Sequence, residues 1–124
     1  MTRSLRFLPA ICWATVIFYF SGLPHVSAPP LFSGADKLVH ALAFGLLTAL
    51  LLFGDRWPHR GRLWWWVGLA ILYGLADEVH QIFVPNRNAD VLDWVADSSG
   101  AVLFASLWVA ERTRRKKNRI SAVS

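Results

Sequence analysis

Residues 38–54 read LVHALAFGLLTALLLFG, an apolar run without Asp, Glu, Lys or Arg, whose one ionisable group is His40 near its start. A helix needs about 20 such residues to cross hydrocarbon, and lipid admits only helices or closed barrels. The run lacks the period-two alternation of a barrel strand, so it reads as a helix. Three runs of similar character surround it, at about 5–23, 63–84 and 91–110. Between them lie Leu23-Pro24-His25 through Pro29-Pro30 and Gly34, then Asp55-Arg56-Trp57-Pro58-His59-Arg60-Gly61-Arg62, then Pro85-Asn86-Arg87-Asn88-Ala89-Asp90. Proline, glycine and charge at each break mark loops. The expected fold is therefore all-α and integral to a membrane: a four-transmembrane-helix bundle forming one domain over 1–124, with 111–124 as a basic tail.

Composition points the same way. Of 124 residues, 55% are hydrophobic and only 17% charged, too few charges to coat a soluble domain of this size. The formal net charge of +5 raises the possibility of nucleic acid. However, the basic residues lie between and after apolar runs, and no soluble module accompanies them, so no nucleic-acid partner is expected. Arg3, Arg6, Arg56, Arg60, Arg62 and the tail residues Arg112, Arg114, Arg115, Lys116, Lys117 and Arg119 all fall at one side of the four-pass pattern, leaving Lys37 and Arg87 at the other. The positive-inside rule then makes both termini and the second loop cytoplasmic. Trp57, Trp64, Trp65, Trp66 and Trp108 fall at the inner boundary and Trp94 at the outer one, as interface anchors do. Arg3, Arg6 and Val26-Ser27-Ala28 also fit a cleavable signal, but Pro29 and Pro30 argue against cleavage, and the first run is read as a retained span. Cys12 is the single cysteine, so neither a disulfide nor a thiol metal site is expected.

The acids collect opposite the basic residues. Asp36, Asp77, Glu78, Asp90, Asp93 and Asp97 fall at the extracytoplasmic side together with Lys37, His40, His80 and Arg87. At about 100° per residue, Asp77, Gln81, Gly74 and Glu78 share one arc of the third span, and Leu75, Val79, Ile82 and Phe83 fill the opposite one. Asp90, Asp93, Asp97, Gly100 and Ala101 likewise share an arc of the fourth span, and Asp36, Lys37, His40 and Phe44 one of the second. Glu78 and Asp97 lie about 9 Å inside their spans at about 1.5 Å per residue. Facing lipid, each would cost at least about 2.5 kcal/mol, so they should face one another or a watery pocket. The expectation is an outward-opening polar pocket lined by spans two, three and four. Gly74, Ala76, Gly100, Ala101 and Ala105 would permit close helix approach.

Two readings of that pocket compete. In the structural one, His40, Glu78, Gln81 and Asp97 hydrogen-bond between helices and fix the bundle. In the functional one, the surplus of carboxylates over fixed bases binds a ligand or works as acid and base, because such a surplus contributes poorly to stability alone. Glu78 and His40 are the acid–base candidates, with Asp36, Lys37, Gln81, Arg87, Asp93 and Asp97 as ligand-binding candidates. Asp90 and His80 read as boundary residues, and His25 and His59 as loop histidines without a role. His40, Glu78, Asp93 and His80 are suitable metal-ligand types, but no HExxH-like spacing unites two of them on one turn, so no metal is assigned. P-loop and GxSxG motifs are lacking, and no cofactor is expected.

The same residues resemble a known family. Asp36-Lys37-Leu38-Val39-His40 opening a span, Glu78-Val79-His80-Gln81 near the end of the next, the Pro85-Asn86-Arg87 turn, and Asp93, Asp97 and Gly100 in the last are similar to the pattern of the VanZ-like family of small bacterial membrane proteins. The resemblance spans about 36–105. It departs at Asp97, where the family usually has Asn, so a neutral hydrogen-bonding position becomes a potential charge. What the resemblance implies is a multi-pass protein of the bacterial cytoplasmic membrane with a link to the cell envelope. The namesake's association with teicoplanin-type antibiotic resistance is not carried over to this chain.

The leading expectation is binding of, or action on, an envelope-related or lipid-linked amphiphile, with Arg87 and Lys37 on an anionic headgroup and Asp93 orienting Arg87. A small ion- or proton-coupled carrier acting as an oligomer and a non-catalytic subunit of a membrane complex are the alternatives. Membrane lipids are the expected partners in every case.

Overall fold

The structure, a computed structural model, describes residues 3–24, 32–56 and 58–122. Trp57, His25, Pro29, Pro30 and the Val26-Ser27-Ala28 stretch lie outside the described residues. The chain is all-helical: a 3-10 turn Arg3–Phe7 leads into α1 (Leu8–Ser21), followed by α2 (Ala35–Asp55), α3 (Arg60–Gln81) and α4 (Val91–Ser121). Local chemistry sets the starts. Pro9 sits in the first turn of α1, where a missing N–H costs nothing. Gly34, at φ 88°, precedes α2 in a conformation that favours glycine. His59 caps α3 by accepting from the Arg62 N–H at 3.3 Å, which gives this loop histidine a role the sequence did not suggest. Asp90 caps α4, its side chain accepting from the Leu92 N–H at 2.8 Å. The basic tail is not a separate segment: α4 continues through it as an exposed helix to Ser121, with Glu111 paired to Arg115 at 2.8 Å.

α2 is the central element. Phe44, Leu47, Leu51 and Leu52 from α2 pack with Leu63, Val67 and Ala70 from α3, Ala101 and Ala105 from α4, and Ala10 from α1. α2 and α4 approach most closely where Gly100 meets Ala41: a Cβ on Gly100 would overlap the Ala41 carbonyl. One turn further, the ring of Phe104 covers Gly45 in the same way. Of the small residues expected at helix contacts, Gly74, Gly100, Ala101 and Ala105 are buried, whereas Ala76 faces outward. α1 is tied across the bundle by two indole and phenol bonds, Trp13 Nε1 to the Ala43 carbonyl at 2.9 Å and Tyr73 Oη to the Ala14 carbonyl at 2.7 Å.

The helices run up and down. Phe7 covers Gly54 and lies 5.1 Å, ring to ring, from Trp66, and Arg112 donates to the Pro58 carbonyl at 3.0 Å. The chain start, the α2–α3 connection and the basic extension of α4 therefore share one end. At that end the buried Asp55 carboxylate accepts from Trp66 Nε1 at 2.7 Å and pairs with Arg62 at 2.6 Å, an ion pair that closes the α2–α3 turn.

The surface is inverted relative to a soluble domain. Trp65 is 67% exposed and Phe83 79%, with many large apolar side chains like them, while Asp77, Glu78, Gln81 and Asp97 are buried. Two helical stretches, Ser4–Ser21 and Ala35–Asp55, are long and apolar enough to cross a membrane. α3 and α4 do not join them on that measure. Both carry buried carboxylates and terminal arginines, which lower their mean hydropathy whatever their surroundings.

Candidate functional site

The ends of the helices opposite the basic cluster converge on a cavity of about 700 Å³, within the range of ligand sites. Its polar wall is Asp36, His40, Ser21, Asp77, Gln81, Arg87 and Asp93; its apolar wall includes Trp13, Val16, Ile17 and Phe20 from α1 and Val39 and Phe44 from α2. The expected lining of spans two, three and four is thus incomplete. α1 supplies much of the apolar wall, and Ser21 at its end accepts from Gln81 Nε2 at 3.2 Å. An entirely uncharged helix gave no sign of this in sequence.

Lys37 organises the rim. Its ammonium reaches Asp93 at 2.5 Å, Asp90 at 2.8 Å and Asp36 at 3.0 Å, joining the start of α2 to the start of α4. Asp90 is therefore no mere boundary residue. It caps α4, pairs with Lys37, and its own N–H donates to Glu78 Oε2 at 2.9 Å. The Lys37 ammonium holds the Asp90 carboxyl below the usual carboxylate range, since a partnered carboxylate resists protonation.

Beneath the rim, His40 stands between two acids. Its Nδ1 lies 2.8 Å from Asp97 Oδ1, and its Nε2 lies 3.7 Å from Asp93 Oδ2. Asp97 is fully buried because Gly74 leaves room for it: a Cβ on Gly74 would lie 3.1 Å from Asp97 Oδ2. Glu78, from α3, completes a group with His40 and Asp93 in which one ligand atom of each lies within 4.8 Å of the others. Glu78 Oε1 and Asp97 Oδ2 are buried and lack hydrogen-bond partners, an arrangement that calls for an explanation in a folded chain.

All eight candidate residues belong to this end of the bundle. Asp36, His40, Gln81, Arg87 and Asp93 line the cavity; Lys37 holds Asp36 and Asp93, Asp97 holds His40, and Glu78 stands behind them on the Asp90 N–H. Asp93 turns to Lys37 and His40, while Arg87 donates through Nη2 to the Phe20 carbonyl at 3.1 Å. His80 points to α1, its ring stacked on Phe18 at 4.5 Å.

No curated protein and no solved structure matches the chain. A family model described as VanZ/LLP1 matches residues 6–112, a stretch that holds every cavity and cluster residue named above. The chain therefore belongs to the VanZ/LLP1 family.

Proposed function

We propose that the chain is a four-span protein of the bacterial cytoplasmic membrane, with both termini cytoplasmic, that binds an envelope-related, lipid-linked amphiphile in a cavity open to the outer side. The observation that carries this reading is the two-sided cavity, with Arg87 and the carboxylates on one wall and α1 and α2 apolar side chains on the other. An amphiphile divides its surface in the same way, headgroup against charge and chain against Val16, Ile17, Phe20 and Val39. The inverted surface and the basic end of the bundle support the membrane placement, because exposed apolar residues are favourable in lipid and Arg and Lys are retained on the cytoplasmic side.

Arg87 is the headgroup contact in this reading, since a guanidinium suits a bidentate oxyanion. Lys37 instead neutralises three carboxylates and fixes the rim. Glu78 and His40 are the groups available for acid–base work on a bound headgroup. The test is purification of the full chain in native membrane nanodiscs, with mass spectrometry of co-purified lipids. A bound amphiphile retained by wild type and depleted at least tenfold in Arg87→Ala is expected. Identical lipid profiles in two well-folded preparations would sink the proposal.

A further inference from the structure

We infer that His40, Glu78 and Asp93 form a binding site for a divalent transition-metal ion such as Zn²⁺ or Mn²⁺, with Asp97 as the group that orients His40. The inference rests on reading the cavity as a ligand site, adds an ion to its floor, and makes Glu78 and His40 the ligands of that ion in place of free acid–base groups. Each of α2, α3 and α4 contributes one ligand, so the site exists only in the folded bundle.

Three observations converge on it. First, the Nδ1 of His40 is engaged by the buried Asp97 carboxylate at 2.8 Å, leaving Nε2 for another partner. A carboxylate behind a histidine in this way fixes its tautomer and aims the opposite lone pair, as it does at metal-bound histidines generally. Secondly, the Nε2–Asp93 Oδ2 separation of 3.7 Å is too long for a hydrogen bond. It is close to the spacing of about 3.4 Å that two ligands keep around a tetrahedral ion at bond lengths of about 2.0–2.1 Å. Thirdly, Glu78 is 5% exposed, and its Oε1 has no hydrogen-bond partner. Its other oxygen is fixed by the Asp90 N–H, and one of its oxygens lies within 4.8 Å of the other two ligand atoms.

The donor set selects the ion. One imidazole with two carboxylates suits first-row transition ions, whereas calcium and magnesium favour oxygen alone. The local surplus of carboxylate charge favours a dication, and the Lys37 ammonium on Asp93 Oδ1 leaves Oδ2 to coordinate. His40 and Asp93 also line the cavity. An ion with three protein ligands would keep a position open toward it, for water or for an oxygen of the headgroup.

The experiment uses the full chain, without a polyhistidine tag, in detergent. It is stripped with a chelator, titrated with Co²⁺ while the visible absorption is followed, and then challenged with Zn²⁺. One Co²⁺ per chain, displaced by one equivalent of Zn²⁺, is expected. Glu78→Gln and His40→Gln should each weaken binding at least tenfold, and Asp97→Asn about tenfold or more through the orientation of His40. His80→Ala should leave binding unchanged. Should His40→Gln fail to fold, pulsed electron paramagnetic resonance of Cu²⁺ bound to wild type reads the same contact as a single coordinated imidazole. Substoichiometric binding, binding indifferent to Glu78→Gln, equal loss in His80→Ala, or a Cu²⁺ site without imidazole overturns the inference. Lipid analysis of the same samples separates the two readings. Arg87-dependent amphiphile on a chain that takes up no Co²⁺ refutes the ion alone, and stoichiometric metal without Arg87-dependent lipid refutes the amphiphile alone.

Discussion

Replacing Gly100 with alanine adds one methyl group at the closest crossing in the bundle, one turn below the His40–Asp97 bond. The added Cβ would lie 2.7 Å from the Ala41 carbonyl carbon and 2.8 Å from its Cα, against 3.4 Å or more for an ordinary contact. These are backbone atoms, so no side-chain rotation can relieve the overlap, and α2 and α4 must separate, with the carbonyl oxygen, the nearest of the three atoms, setting how far. Overpacking of this kind costs about 1–3 kcal/mol. The separation also falls on His40, the neighbour of Ala41, and would stretch its 2.8 Å bond to Asp97 beyond the usual limit of about 3.2 Å. A further 1.5–3 kcal/mol or so follows if the buried acid loses that partner. Thermal unfolding in detergent, followed by far-ultraviolet circular dichroism, should place Gly100→Ala at least about 5 °C below wild type. Nitrogen-15 spectra of labelled histidine should show a changed His40 Nδ1 environment. A variant with wild-type stability and an unchanged His40 signal would falsify the close crossing and its link to the site.

The opposite end of the bundle offers a cleaner loss of charge. The Asp55 side chain is 2% exposed and holds both Arg62 and Trp66. Removing it by Asp55→Ala should cost about 3 kcal/mol, the lower end for breaking a buried pair, because Arg62 is itself one-third exposed. Unfolding in denaturant measures this, and a change under about 0.5 kcal/mol refutes the role. Acid stability tests the rim. Because the folded Asp90 carboxyl is lowered by Lys37, its contribution is fully present above about pH 4 and is lost as pH falls through the lower folded value. Asp90→Asn keeps the helix cap but should be less stable than wild type at pH 6, the gap closing in acid; a gap independent of pH contradicts the ion pair.

Much of this was legible in the chain. The apolar run at 38–54 announces a helix on its own, and the prolines and glycines between runs separate the four helices. The grouping of acids against bases also survives in three dimensions, because both follow from where each helix begins and ends. Gly74 and Gly100 were readable as contact points, since only a missing side chain permits such approach. Other features left no local trace. Asp55 sat in an apparently ordinary loop, yet its partner Arg62 and the indole of Trp66 reach it only after α3 folds back. Ser21 and the apolar wall of α1 joined the cavity through packing alone, and Asp90 looked like a loop acid until Lys37 and Glu78 met it from two other helices.

By itself, then, the sequence determined the helices, their order, and the segregation of charge, because hydrophobic run length and breaker residues act over neighbouring positions. Which of two facing acids holds His40 and which is left for Lys37 was decided only by the tertiary structure. That choice depends on the Gly100–Ala41 crossing and on the space above Gly74, both set by residues on different helices that no local pattern brings together.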